Sequence, residues 1–137
     1  MKLRRLLLPL LFATGAAFAA TAAAHGAGDT VKPNFDRPIA NVPGKSLIAL
    51  EVLYPPGGAS LPHVHSKSAF IYAYVVSGSI ASKVNDGPER IYKAGQSFHE
   101  APGSRHPVSR NVSKTKPAKL LAVFVVDSGD EPLTTKE

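Results

Sequence analysis

A chain of 137 residues is a prior for one domain, and its lack of cysteine excludes disulfide staples, thiolate metal ligands and a cysteine nucleophile. The sixteen basic side chains outnumber the ten acidic ones, for a net charge of +6. Beyond the first two dozen residues the only local basic cluster is Lys114, Lys116 and Lys119, with no stacking aromatics beside it, so a nucleic-acid partner is not expected.

Part of that charge belongs to the leader. Lys2, Arg4 and Arg5 precede an apolar run from Leu6 to Phe18, and small residues follow at Ala17-Phe18-Ala19 and Ala22-Ala23-Ala24. This is the pattern of a secretory signal peptide, and the run is short for a membrane span. Residues 1–24 are expected to be removed, leaving a periplasmic or secreted protein with no stable membrane insertion. Three of the basic residues and none of the acidic ones lie in the leader, so the mature chain of 113 residues carries a net charge of +3. A core of that size is modest, and a homodimer is expected to supplement it.

Residues 25–42 are polar and read as an N-terminal arm, with an edge strand around Lys32 to Arg37. His25 falls near the new N-terminus as an incidental, mobile residue. Ser46 to Tyr54 (SLIALEVLY) is rich in apolar and β-branched residues and is short enough for a strand. Pro55-Pro56-Gly57-Gly58 ends it as a turn. Pro62 biases Leu61 toward extended backbone ahead of His63. Phe70 to Ser77 is the next strand, and its apolar and aromatic run predicts burial on both faces.

Gly78 permits a tight turn into a strand over 79–84. Asn85-Asp86-Gly87 is the strongest hairpin signal, because these residues tolerate positive φ. The return strand spans 89–93. Ala94-Gly95 turns again, Gln96 to Glu100 is a short strand, and Pro102-Gly103 closes it. Arg105 to Val108 continues extended, with Pro107 best tolerated at an edge. Asn111 to Pro117 is a loop, and Ala118 to Val126 (AKLLAVFVV) is the last core strand. The tail over 128–137 reads as flexible. No stretch of the mature chain has both caps and helical periodicity, so the class is all-β, a sandwich or small barrel over residues 43–127.

His63 and His65 carry the sharpest chemical signal. In extended backbone, residues i and i+2 share a face, so both imidazoles can enter one cavity. Two exposed loop histidines beside a proline is the plain alternative. His106 follows its own Pro-Gly turn and joins them only if the sheet folds back over the first strands. Three neutral imidazoles suit a divalent transition metal such as Fe, Mn, Ni, Zn or Cu, with positions left open for water or substrate.

These residues lie in two ordered motifs. Gly57, five residues, His63-Val64-His65 and a closing Gly78 form the first. Gly95, a short strand, Pro102-Gly103 and then, after Ser104 and Arg105, His106 form the second. In both, the chain resembles the cupin superfamily in its small single-domain form. The resemblance covers Gly57 to Asn111 and, with flanking strands, most of residues 40–127. It implies a double-stranded β-helix or jelly-roll barrel, with His63, His65 and His106 as metal ligands.

Two departures stand out. The family carries a Glu between the second His and the closing Gly, which falls near Ala69, Phe70 or Ile71 here, and none of these can ligate a metal. The family Asn is closest to Asn111, one residue late. Glu100 or His99 is expected to make up for the missing carboxylate, as fourth ligand or proton carrier. Strand parity sends the two to opposite faces, so at most one looks inward. Phe70, Tyr72, Tyr74 and Phe98 are candidates for cavity lining or plain barrel core, and Arg105 for steering an anion or a surface role.

Cupin resemblance leaves function open, because a fold does not select a reaction. The leading expectation is an exported metal-binding cupin, an oxygenase-like enzyme on a small organic substrate. Small-molecule binding or sensing without turnover is the alternative, and a structural or stress-related domain with a vestigial site is another.

Overall fold

A computed structural model describes residues 28–137. The leader over 1–24 and His25 lie outside them. Eleven strands follow one another: β1 (Thr30–Pro38), β2 (Lys45–Tyr54), β3 (His63–His65), β4 (Phe70–Ser77), β5 (Ser79–Lys83), β6 (Arg90–Lys93), β7 (Ser97–Glu100), β8 (Arg105–His106), β9 (Val108–Asn111), β10 (Ala118–Asp127) and β11 (Thr134–Lys136). No helix occurs among the described residues. The class is all-β, as the punctuation of short strands by turn residues predicts.

Five strands form one sheet in the order β1-β2-β10-β4-β7. Two three-stranded sheets, β11-β3-β8 and β6-β5-β9, complete the jelly roll. Every named pairing is antiparallel. At Asn85 φ is 50°, the left-handed turn that the Asn-Asp-Gly signal predicts between β5 and β6. Pro107, which has no N–H to donate, divides β8 from β9.

The central strand β10 alternates strictly. Ala118, Leu120, Ala122, Phe124 and Val126 are buried, and the residues between them are half-buried. Paired with β2 and β4, it builds two core clusters. One gathers Val52, Tyr54, Ala73, Val75, Ile80, Ala118 and Leu120; the other Ala69, Ile71, Ala122, Phe124 and Val126. Full burial of a side chain the size of Ile71 or Phe124 contributes about 1.5–3 kcal/mol.

Two expectations need correction. β4 is not buried on both faces: Ile71, Ala73 and Val75 are buried, whereas Phe70 and Tyr72 are 42% and 44% exposed. The physical reason is that the outer face of the large sheet carries no second layer among the described residues, so the pleat exposes every other side chain. The tail is not loose either, because Thr134–Lys136 pairs with β3 as β11. The arm region contains β1, whose nine residues are all exposed and which pairs with β2 along the sheet edge.

Candidate metal centre

Strand pairing brings the two histidine motifs together. β3 runs antiparallel to β8, which sets His63 directly opposite His106. The N–H of His65 bonds the carbonyl of Ser104 at 2.9 Å, tying β3 to the turn that begins at Pro102-Gly103. One ring nitrogen from each of His63, His65 and His106 lies within 4.8 Å of the others. Ring centroids stand 4.8 Å (His63–His65), 5.2 Å (His63–His106) and 5.9 Å (His65–His106) apart.

Each ring is held from behind. His63 Nδ1 lies 2.7 Å from the carbonyl of Leu61. A carbonyl can only accept, so Nδ1 carries a proton, and Nε2 is the nitrogen with the lone pair whenever the ring is neutral. His106 Nε2 shares a buried hydrogen bond with Ser82 Oγ at 2.8 Å. The rings of Phe124 and His65 pack in a T shape with centroids 5.8 Å apart, and those of Phe98 and His106 likewise at 6.1 Å. Such outer contacts fix ring orientation around a metal site.

Glu100 enters the same space from β7. It is 3% exposed, with Oε2 2.9 Å from His65 Nε2 and Oε1 3.4 Å from His106 Nδ1. Burial pushes its carboxyl up, but the contact with His65 and the nearby imidazoles outweigh that, and it titrates below the ordinary carboxylate range. Burial pushes His106 down to about 4, against the pull of Glu100. Both residues therefore hold the protonation states that metal binding needs at neutral pH, a carboxylate and a neutral imidazole.

The 2.9 Å contact has the separation of a hydrogen bond without the alignment. His65 Nδ1, His65 Nε2 and Glu100 Oε2 are all buried and have no hydrogen-bond partner. A buried polar group left without any partner costs about 1–3 kcal/mol; His65 Nδ1 has none, and His65 Nε2 and Glu100 Oε2 have only their misaligned contact with each other. An orphaned imidazole and an orphaned carboxylate oxygen beside two more imidazoles fit a divalent cation, whose charge and empty orbitals satisfy all of them.

The other candidates fall elsewhere. His99 is exposed and stacks on Phe70 at 5.9 Å, on the opposite side of β7 from Glu100. It does not line the cavity, because strand alternation sends it to the outer face. Tyr72 and Phe70 also point outward, and Phe98 packs with Tyr92 against the first core cluster. Arg105 pairs with Asp86 at 3.1 Å and Glu137 at 3.6 Å. Asn111 is buried but works as a loop staple: its Nδ2 donates to Pro55 O and Lys116 O, and its Oδ1 accepts from Ser113 N–H.

The site opens into a cavity of about 480 Å³. Its walls are apolar at Leu50, Val52, Leu120, Ala122 and Phe124. A hydroxyl chain that the sequence reading missed lies on the same cavity. Ser60 donates its one proton to Asp29, so Tyr54 donates to Ser60 at 3.0 Å and accepts from Ser109 at 2.8 Å. Tyr54, Ser60, Ser82, Ser109 and Asp29 belong to no motif, and only their convergence in space singles them out.

A family model for the cupin domain matches residues 50–124. The chain belongs to the cupin family. No curated protein matches it. Among solved structures it is similar to the cupin domain of Schizosaccharomyces pombe Cnp3, at 20% identity and a TM-score of 0.59, over 73% of this chain and 62% of that one. It is also similar to a recombinant oxalate oxidase in complex with glycolate, at 23% identity and a TM-score of 0.59, over 84% and 57%. A predicted oxalate decarboxylase from Thermotoga maritima matches at 19% identity and a TM-score of 0.50, over 66% and 91%. This cupin thus spans about three-fifths of the length of the first two. Likeness at such identities is one of fold.

Proposed function

We propose that this cupin is an exported metalloprotein in which His63, His65 and His106, with Glu100, hold a divalent transition ion and act on a small organic substrate in the adjoining cavity. The observation that carries this reading is the set of buried, unpartnered nitrogen and oxygen atoms on His65 and Glu100, gathered against two further imidazoles. When bound, such an ion supplies Lewis-acid or redox chemistry at its open positions.

The chain's own residues do the remaining work. Leu50, Val52, Leu120, Ala122 and Phe124 keep bulk water from the substrate's body. Glu100 is ionised at neutral pH, so its carboxylate accepts a proton rather than donating one. Ser82 orients the His106 ring through its buried hydroxyl contact. Export rests on the leader pattern over residues 1–24, and self-association of two copies on the exposed apolar Phe70, Tyr72 and Val76 of the outer sheet face.

Elemental analysis of untagged mature protein, purified under metal-replete conditions, tests the reading. Stoichiometric metal in the wild type and its loss in His63→Ala and His65→Ala is the expected result. A wild-type protein with only trace metal would leave a vestigial site. Metal with ligand binding but no turnover over a panel of small organic acids, alcohols and amines would favour a binding module.

A further inference from the structure

The last strand places a cation beside the imidazoles. β11 runs antiparallel to β3, with Lys136 opposite His63 and Thr134 opposite His65. Directly opposed residues project to the same face of a sheet. The Lys136 and Thr134 side chains therefore share a face with the two imidazoles, and all four residues line the cavity.

Lys136 is the only lysine or arginine among the lining residues. No carboxylate of the described residues pairs with it. Glu137, its neighbour, is turned to Arg105, and the two lining carboxylates are engaged as well. Asp29 accepts from Ser60, and Glu100 sits against His65 and His106. With a divalent ion at the imidazoles, those two carboxylates balance the ion and Lys136 is the surplus positive charge.

The strand that carries Lys136 is fastened in place. The N–H of Ser66 bonds the carbonyl of Leu133 at 3.0 Å, the N–H of Glu137 bonds the carbonyl of Pro62 at 3.3 Å, and Leu133 packs on the second core cluster. Its side chains stay exposed, so the ammonium is open to a ligand. A compact charge on a flexible stem suits an oxyanion approaching from solvent.

We propose that β11 is the anion-recognition element of this cavity and that Lys136 draws small oxyanions, carboxylates foremost among those tested, toward the imidazoles. This rests on the metal reading above for the position of the carboxylate's partner, and it adds the substrate class. A carboxylate that reaches the imidazole cluster passes beside Lys136, whereas a neutral isostere gains nothing from it.

The test is calorimetric titration of the full mature protein, loaded with Mn²⁺ or Zn²⁺, with oxalate, acetate, phosphate and neutral acetamide. Oxalate and acetate are expected to bind more tightly than acetamide. Lys136→Gln should weaken oxalate binding about three- to tenfold, with less effect at high salt, and leave metal stoichiometry unchanged. Lys136→Arg should recover most of the loss. Equal oxalate affinity in wild type and Lys136→Gln would overturn the proposal, as would acetamide binding better than the anions; phosphate binding ahead of both carboxylates, and lost in Lys136→Gln, would keep Lys136's role and name phosphate as the oxyanion. Failure to load metal would count against the metal centre alone, and Lys136-dependent oxalate binding by the metal-free chain would still decide the role of the tail.

Discussion

Ile71 and Glu100 stand directly opposite each other across the pairing of β4 and β7, and both face the cavity that holds the three imidazoles. Residues so opposed have Cβ atoms about 4.5–5.5 Å apart, so a carboxylate carried by either strand reaches nearly the same place. The cupin resemblance puts the family's carboxylate near Ile71, and this chain carries one on the facing strand. Glu100→Ile should lower metal affinity by at least about 10- to 100-fold, the range for losing a mere partner of a ligand, because here a ligand itself is removed. Adding Ile71→Glu to that variant should restore most of it. A competition titration with a chelator reads both, and an exchanged pair no better than the single variant would show that position on β7 matters in itself.

Ser82→Ala should loosen His106 without touching the other rings. Ser82 is 2% exposed, and its hydroxyl holds His106 Nε2. Removing it strands a buried ring nitrogen, at about 1–3 kcal/mol. Denaturant titration should show that loss in the metal-free protein, and metal affinity should fall about tenfold. Ser82→Thr, which keeps the hydroxyl, should recover affinity even if the added methyl costs some stability.

Tyr54 makes stability fall in alkali. Burial pushes its phenol above the ordinary value, against the hydrogen bonds with Ser109 and Ser60 that pull it down. Above about pH 10 the unfolded chain loses that proton first, so it binds fewer protons than the native state and unfolding free energy drops as pH rises. Tyr54→Phe should flatten this part of the pH–stability curve relative to wild type, and cost about 1 kcal/mol at neutral pH through the broken hydroxyl chain. Parallel curves above pH 10 would count against it.

Gly78 is irreplaceable for two separate reasons. Its φ is +76°, and a Cβ there would stand 2.7 Å from the Cβ and 2.9 Å from the Cα of Ala118. Gly95 also has positive φ, at +87°, but a Cβ would meet nothing within 4 Å. Gly95→Ala should therefore cost only the left-handed backbone penalty, about 1–2 kcal/mol. Gly78→Ala should cost more than that by a clear margin, because backbone atoms of β10 would have to move. Thermal melts of the two variants side by side make the comparison.

Much of the barrel was legible in the chain. The strands over 45–54, 70–77 and 118–127 follow from apolar runs bounded by Pro, Gly and Asn, because such punctuation is local chemistry. The HxH pair was legible for the same reason, since a two-residue spacing puts both rings on one face of any strand. β11 was not legible. Thr134 to Lys136 is short and polar, and becomes a strand only because β3 offers an unpaired edge beside the site.

The sequence alone determined the all-β class, the places of the longer strands along the chain and a parity that kept Glu100 and His99 on opposite faces. Tertiary structure decided which of the two faced inward, that His106 met His63, and that Lys136 and the Tyr54 hydroxyl chain shared their cavity. Those outcomes depend on the register between strands distant along the chain, and register is set by how whole faces pack, not by any residue's immediate neighbours.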